Sequence, residues 1–296
     1  MSHIITLIAN PATRALDPAL AEDAARAVGA RSVTWLGERL AADLAVHGPD
    51  GHAAALADVI GDAPIDHVVQ KDDGPEARRK AILLADMDST MIRQECIDEL
   101  AAEAGIKDKV AGITARAMNG EIEFEGALRE RVALLEGLPL TVIDKVIAER
   151  IKLMPGGQNL VRTMAANGAL CALVSGGFTH FTARIADMVG FHEHRANRLL
   201  HAGGRLTGQV AEPILGKKAK ADALIEIAKR LGVSTDRVIA VGDGANDLAM
   251  LELAGAGVAL HAKPSVAERA GMRIDHGDLT ALLFIQGYRE DEIVRR

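Results

Sequence analysis

Asp86 and Asp88 stand two residues apart, directly after the short apolar run Ile82 to Ala85. That run reads as a buried strand, and a carboxylate at the end of one is costly to desolvate without a cation or hydrogen-bond donors beside it. Mg2+ would offset the repulsion between two such carboxylates and hold a phosphate against one of them. Asp86 is then placed to attack phosphorus as a covalent nucleophile. Asp88 is placed to protonate the leaving oxygen and afterwards to deprotonate the water that hydrolyses the intermediate. Taken alone, the same pair also reads as a calcium loop or a polar strand end.

Three further signals follow in the chain. Val174-Ser-Gly-Gly-Phe178 closes the strand-like run Leu170 to Val174 and delivers Ser175 to a loop. The Ser175 hydroxyl and the Gly176 N–H can bind a phosphoryl oxygen, because glycine allows close backbone approach. A plain turn is the other reading. No Gly-x-Ser-x-Gly elbow surrounds Ser175, which argues against a serine nucleophile. Lys220 opens a predicted helix, where a cation is unfavourable unless an anion shares the site. It can offset both phosphate and the Asp86 carboxylate, or be one more solvated lysine beside Lys217 and Lys218. Val241-Gly-Asp-Gly-Ala-Asn-Asp247 follows the strand-like Val238 to Val241. There Asp243 is a natural Mg2+ ligand, Asp247 a ligand directly or through water, and Asn246 a group that orients the phosphate or its ligands.

These residues need a scaffold that gathers strand ends. From about residue 76 the chain alternates strands and helices, and in an open parallel sheet the loops at the carboxyl ends of strands meet at one site. Ala221, Leu224, Ile225, Ala228 and Leu231 mark the helix between the last two signals. From about 92 to 152 the alternation stops. Ile97, Leu100, Ala101 and Ala104 form one helical stripe, and Leu128, Val132 and Leu135 another. This reads as a helical cap inserted after the first core strand, able to close over a substrate and exclude water. Residues 1–75 read as a small α+β domain, with a strand at His3 to Ala9, a helix at Leu16 to Val28 and a strand at Ser32 to Leu36. Trp35 is read as packing, and His47, His52 and His67 as ordinary histidines. Lys71 to Lys80 is charged, contains Gly-Pro and reads as the linker into the core, 76–296. The expected fold class is α/β: a Rossmann-like parallel-sheet hydrolase core with a helical cap, plus the small α+β domain.

At 296 residues the chain suffices for one large domain or two moderate ones. Aromatics make up only 2%, so the core must be built from Ala, Leu, Ile and Val. The net charge of -7 argues against a general nucleic-acid binder, which carries a basic surface. Cys96 and Cys171 form neither a disulfide framework nor a zinc spacing and read as buried thiols in a reducing compartment. No apolar run reaches the ~18 residues of a membrane span. The N-terminus lacks a secretory pattern, so the expected location is cytoplasmic.

The ordered set of Asp86-Met-Asp-Ser-Thr90, Ser175, Lys220 and Gly242-Asp-Gly-Ala-Asn-Asp247 resembles the haloacid-dehalogenase-like hydrolase superfamily, over about Ile82 to Ile274. The resemblance implies Asp86 as nucleophile, Asp88 as acid/base, and Asp86, Asp243 and the Asp88 backbone carbonyl at Mg2+. Asp247 is expected behind the metal. Met87 stands where related enzymes often have Phe. Glu95, Met118-Asn-Gly120, Phe124, Leu128-Arg-Glu-Arg131 and Val132 more closely resemble the phosphoserine phosphatases within the superfamily. That likeness implies Glu95 for a substrate ammonium, Arg131 for its carboxylate and Phe124 packed over it. A planar guanidinium suits the carboxylate. Related enzymes also carry small amino-acid-binding domains of the ferredoxin-like βαββαβ type, and residues 1–75 are expected to be a divergent example.

The activity these resemblances imply is hydrolysis of O-phospho-L-serine through an aspartyl phosphate. The partner is then a small phosphorylated amino acid, with no nucleic acid and no membrane, and a homodimer is possible. Two alternatives stay open. One is the same chemistry, or phosphoryl transfer, on another small phosphomonoester. The other is an amino-acid sensor whose catalytic centre has decayed.

Overall fold

The computed structural model describes residues 2–118, 121–216 and 218–295. The chain opens with β1 (Ser2–Ala9), α1 (Pro18–Ala27), β2 (Ser32–Gly37), β3 (Ala41–His47), α2 (His52–Ile60) and β4 (Ile65–Lys71). The four strands pair antiparallel in the order β2-β3-β1-β4, so this region has the ferredoxin-like arrangement. Asp17 caps α1 by accepting from the Ala19 amide, and Pro18 takes the first helical position, where its missing N–H does no harm. Alternation divides β1 between two cores. Ile5 and Leu7 meet Ala21, Ala24 and Leu56 of the helices, whereas Ile8 faces the opposite side. On that side Ile8, Leu36 and Val68 share a core with Leu282, Phe284 and Tyr288 from the end of the chain.

Next come α3 (Pro75–Arg78), β5 (Ile82–Ala85), and the helices α4 (Cys96–Glu103), α5 (Lys107–Met118), α6 (Phe124–Ala133) and α7 (Thr141–Glu149). Ile97, Leu100, Ala101, Leu128 and Val132 are buried, as their helical spacing predicts, while Ala104, just past α4, is half-buried and Leu135 is buried in the turn beyond α6. The chain continues through α8 (Gly157–Ala166), β6 (Leu170–Phe178), α9 (Thr179–Val189), β7 (Glu193–Asn197), and the hairpin β8 (Leu199–Ala202) and β9 (Arg205–Val210). It ends with α10 (Ala219–Leu231), β10 (Val238–Gly242), α11 (Leu248–Leu253), β11 (Ala256–Leu260), α12 (Pro264–Ala267), β12 (Met272–Ile274) and α13 (Ala281–Ile285). Six strands form one parallel sheet, ordered β12-β11-β10-β5-β6-β7. The chain winds from β5 outward through β6 and β7, then returns to β10 and winds the other way. The crevice between the carboxyl ends of β5 and β10 is therefore the switch point where open α/β sheets bind ligands.

Three local expectations need correction. The buried face of α10 is Lys220, Ala223, Leu224, Ile227 and Ala228, while Ile225 and Leu231 are 49% and 42% exposed. The expected stripe ran one step out of phase, because Ile225 lies about 100° around the helix from Leu224. Ser175 lies within a strand and not in a loop, since β6 runs on to Phe178 with a register shift between Val174 and Phe178. The charged stretch before β5 is also no free linker. It forms α3, and Arg78 is buried against Asp43, bonded at 2.6 Å, and against the Ile285 carbonyl.

Candidate active site

Asp86 is the first residue beyond β5, and its amide donates to Val241 O at 3.0 Å, continuing the ladder with β10. This pins the carboxylate at the switch point. Lys220, on the buried face of α10, reaches Asp86 Oδ1 at 2.7 Å and Asp247 Oδ1 at 2.5 Å. The other oxygen of Asp247 accepts from the amides of Asp243 and Gly244 at 3.2 and 3.0 Å. Asp247 thus closes the loop after β10 on itself. A side chain at position 242 would place its Cβ 2.3 Å from the Asp247 carboxyl carbon, so only glycine admits this closure. Thr90 Oγ1 donates to Asp243 Oδ1 at 3.0 Å, tying the β5 loop to the β10 loop.

Asp86, Asp243 and Asp247 bring carboxylate oxygens within 4.8 Å of one another, and all three are buried. Burial, then the Asp247 charge, push the Asp86 carboxyl well above the ordinary range, although Lys220 pulls it back. Burial and Asp247 raise Asp243 to about 6, with the Thr90 hydrogen bond opposing. The Lys220 ammonium loses hydration on burial, but Asp86 and Asp247 more than compensate and hold it charged. Three carboxylates cluster and one ammonium pairs with two of them, so the residues fit a divalent cation, for which an all-oxygen donor set is suited.

Asp88 stands apart from this group. Its carboxylate accepts from the Cys96 amide at 2.9 Å and from the Ser175 hydroxyl at 3.3 Å. Burial, then Glu95, raise it to about 6. A carboxyl poised there can exchange a proton near neutral pH. The Ser175 hydroxyl oxygen accepts from the Gly177 amide at 2.8 Å. A Cβ at 177 would lie 2.9 Å from Asp88 Oδ2, and one at 176 would meet the Phe124 ring at 3.2 Å. The glycines therefore let the acid, the serine and the cap aromatic converge. Ser175, Gly176, Lys220, Asn246 and Phe124 line one small pocket, which adjoins a cleft of about 1010 Å³ through Phe124, Val174 and Leu215.

Ser89 of the β5 loop donates to Glu95 Oε1 in the cap at 2.8 Å, and within the cap Arg131 Nε donates to Ala127 O at 3.2 Å. Burial lowers the Arg131 guanidinium, while Asp98, Glu95 and Asp88 pull it back up, which places it in the field of the site. Asn119 and Gly120 of the expected cap motif lie outside the described residues, as does Lys217. Two further contributors carried no signal of their own in the sequence. One is the Cys96 amide. The other is Asn197, which donates to Gly176 O at 2.9 Å and accepts from Leu215 N at 2.7 Å, stapling the β6 bulge to the pocket wall. A second cavity, of about 980 Å³, lies between Trp35, Arg39 and Arg289, on the N-terminal sheet's side of the molecule. Trp35 is half-buried there against the N-terminal core.

The chain belongs to the haloacid dehalogenase-like hydrolase family, whose pattern it matches over residues 83–252. Within that family its relatives are phosphoserine phosphatases. It is 38% identical over 301 residues to phosphoserine phosphatase SerB2 of Mycobacterium tuberculosis, covering 99% of this chain and 73% of that protein. A solved phosphoserine phosphatase carrying an analogue of the phospho-aspartyl intermediate is 40% identical, with TM-score 0.65, over 70% of this chain and 98% of that one. A haloacid dehalogenase family hydrolase from Salmonella enterica serovar Typhi superposes over 99% of both chains, with TM-score 0.84 at 29% identity.

Proposed function

We propose that the protein is a Mg2+-dependent phosphoserine phosphatase, releasing L-serine and phosphate from O-phospho-L-serine through a phosphorylated Asp86. The carrying observation is the buried Asp86 carboxylate, held by Lys220 at 2.7 Å and grouped with Asp243 and Asp247. Likeness to phosphoserine phosphatases, one solved with a phospho-aspartyl analogue, supports the same reading.

In this reading Ser175, the Gly176 amide, Lys220 and Asn246 receive the phosphoryl oxygens. Glu95 takes the substrate ammonium, Arg131 the carboxylate, and Phe124 closes over both. Asp86 attacks phosphorus in line, and Asp88 protonates the departing serine oxygen. Asp88, now ionised, takes a proton from the water that hydrolyses the acyl phosphate. Asp86, Asp243 and the Asp88 carbonyl hold Mg2+, which when bound neutralises charge on the phosphoryl group, and Asp247 fixes Lys220 and the loop behind them. Residues 1–75 and 76–296 are proposed as separate domains, the first of a divergent amino-acid-binding type and the second carrying a cap over about 92–152. Two buried thiols and the absence of a membrane-length apolar helix among the described residues support a cytoplasmic location.

The deciding experiment is phosphate release from a panel of phosphomonoesters, with Mg2+ and without metal. Metal-dependent release with strong preference for L-phosphoserine is expected. Preference for another ester would overturn the substrate assignment and leave the chemistry. No release from any ester would overturn both.

A further inference from the structure

The cap helix α4 has no side-chain cap of its own, because its N-cap residue Glu95 makes no such bond. Its first amide, Cys96 N–H, donates instead to Asp88 Oδ1, eight residues earlier, at 2.9 Å. The acid therefore serves as the acceptor for a helix start, one of the groups that a helix leaves unpaired. The other Asp88 oxygen accepts from the Ser175 hydroxyl, at 3.3 Å, and the Cys96 thiol also hydrogen-bonds the carboxylate. That hydroxyl is the one assigned to a phosphoryl oxygen, so substrate binding draws it away. Cys96 is then the residue that still holds the carboxylate, through its amide and its thiol. Cys96 is 1% exposed and packed in the main core, so the amide is fixed by the fold and not by a mobile side chain.

We infer that Cys96 is a positioning residue whose backbone N–H, at the root of the cap, aims the Asp88 carboxyl at the leaving-group oxygen. The inference rests on the phosphatase reading and adds to it that the cap's first helix and the acid are mechanically one unit. Proton donation matters for an alkyl leaving group such as serine and little for p-nitrophenolate, which departs unprotonated. Both are compared through kcat/KM, which reports the steps up to leaving-group departure.

The test replaces the N–H and little else. Proline is tolerated at the first position of a helix, and Glu95 already has the extended backbone that precedes proline comfortably, with φ -94° and ψ 114°. Cys96→Pro is compared with Cys96→Ala, which keeps the amide and is the reference for loss of the thiol. Relative to that reference, kcat/KM on phosphoserine is expected to fall about 10- to 100-fold further than kcat/KM on p-nitrophenyl phosphate, a part of the full worth of general acid catalysis. Equal losses on the two esters, or no loss on either, overturn the inference. Should Cys96→Pro not fold, an α-hydroxy acid at position 96 swaps the N–H for an ester oxygen without a ring, and the same ratio decides. A wild-type enzyme inactive on phosphoserine would refute the proposed function instead. The ratio can then be measured on whichever alkyl phosphate it does cleave.

Discussion

Two regions of this molecule bury charged side chains, and they do so in opposite ways. On the inner face of the N-terminal sheet, Arg78 meets Asp43 through both guanidinium nitrogens, at 2.6 and 3.3 Å. Thr6 donates to the same carboxylate at 2.7 Å, and the Ile285 carbonyl accepts from Arg78 at 3.1 Å. Nearby, Asp66 accepts from the amides of Asp275 and Gly277 at 2.8 and 2.7 Å. There Arg78 and Asp43 match each other in charge, and Asp66 is satisfied by backbone donors. In the crevice between β5 and β10, three carboxylates cluster and Lys220 pairs with two of them, while burial and then the Asp247 charge push Asp86 and Asp243 upward. A balanced buried set joins two parts of a fold, whereas a carboxylate-rich one suits a cation.

Substitutions should separate the two regions. Asp86→Asn keeps the shape of the crevice and removes the nucleophile, so turnover should fall by about 10^4-fold or more, measured as phosphate release at saturating substrate. Near-normal turnover would end the covalent mechanism. Thermal stability should not fall, because one of three crowded carboxylates has been neutralised. Arg78→Met should do the reverse. It leaves Asp43 buried and unpaired and should destabilise by about 3–5 kcal/mol in urea unfolding, with kcat near wild type at low temperature. Adding Asp43→Asn should restore part of that loss. Additive losses would show that the pair is not coupled.

The contrast also explains what was legible in the sequence. The crevice was readable because its chemistry sits in contiguous motifs at strand ends, and the spacing of Asp86 and Asp88 carries the geometry with it. The parallel core was readable for the same reason. The Arg78–Asp43 joint was not, since its members lie 35 positions apart and Arg78 sits in a stretch whose charge and Gly-Pro signal a linker. Asn197 and the Cys96 amide were hidden differently: a backbone donor has no residue type, and an asparagine at a strand end has many uses. The phase error on α10 came from counting Ile225 as core, when the fifth member of the buried face is the charged Lys220.

A third substitution probes the rim of the unbalanced region. Arg131 is half-buried in the field of Asp98, Glu95 and Asp88, with an ion pair to none of them among the described residues. In the proposed reading it receives the substrate carboxylate. Arg131→Ala should lower kcat/KM on phosphoserine about 100-fold, the scale of a charge-assisted bidentate contact, and do much less to an ester without a carboxylate. A uniform loss on both esters would reassign Arg131 to packing of the cap.

The smallest effect follows from protons and metal. Asp243 is raised from 3.8 to about 6 in the folded chain. Between those values the folded state keeps a proton that the unfolded state has lost. Metal-free stability should therefore be full below the unfolded value and fall as pH rises through about 6. Asp86 is raised as well and adds to the same slope. Asp88, also raised to about 6 by burial and then Glu95, adds to it too. Mg2+ takes the place of the missing protons. At about 100 times its dissociation constant it should stabilise by about 2.7 kcal/mol. The gain should be larger at pH 7.5 than at pH 5, since protons and metal compete for the same oxygens. Urea midpoints with and without Mg2+ at the two pH values measure both. A gain that is equal at the two pH values would place the ion away from Asp86 and Asp243, and the imbalance would then need another cause.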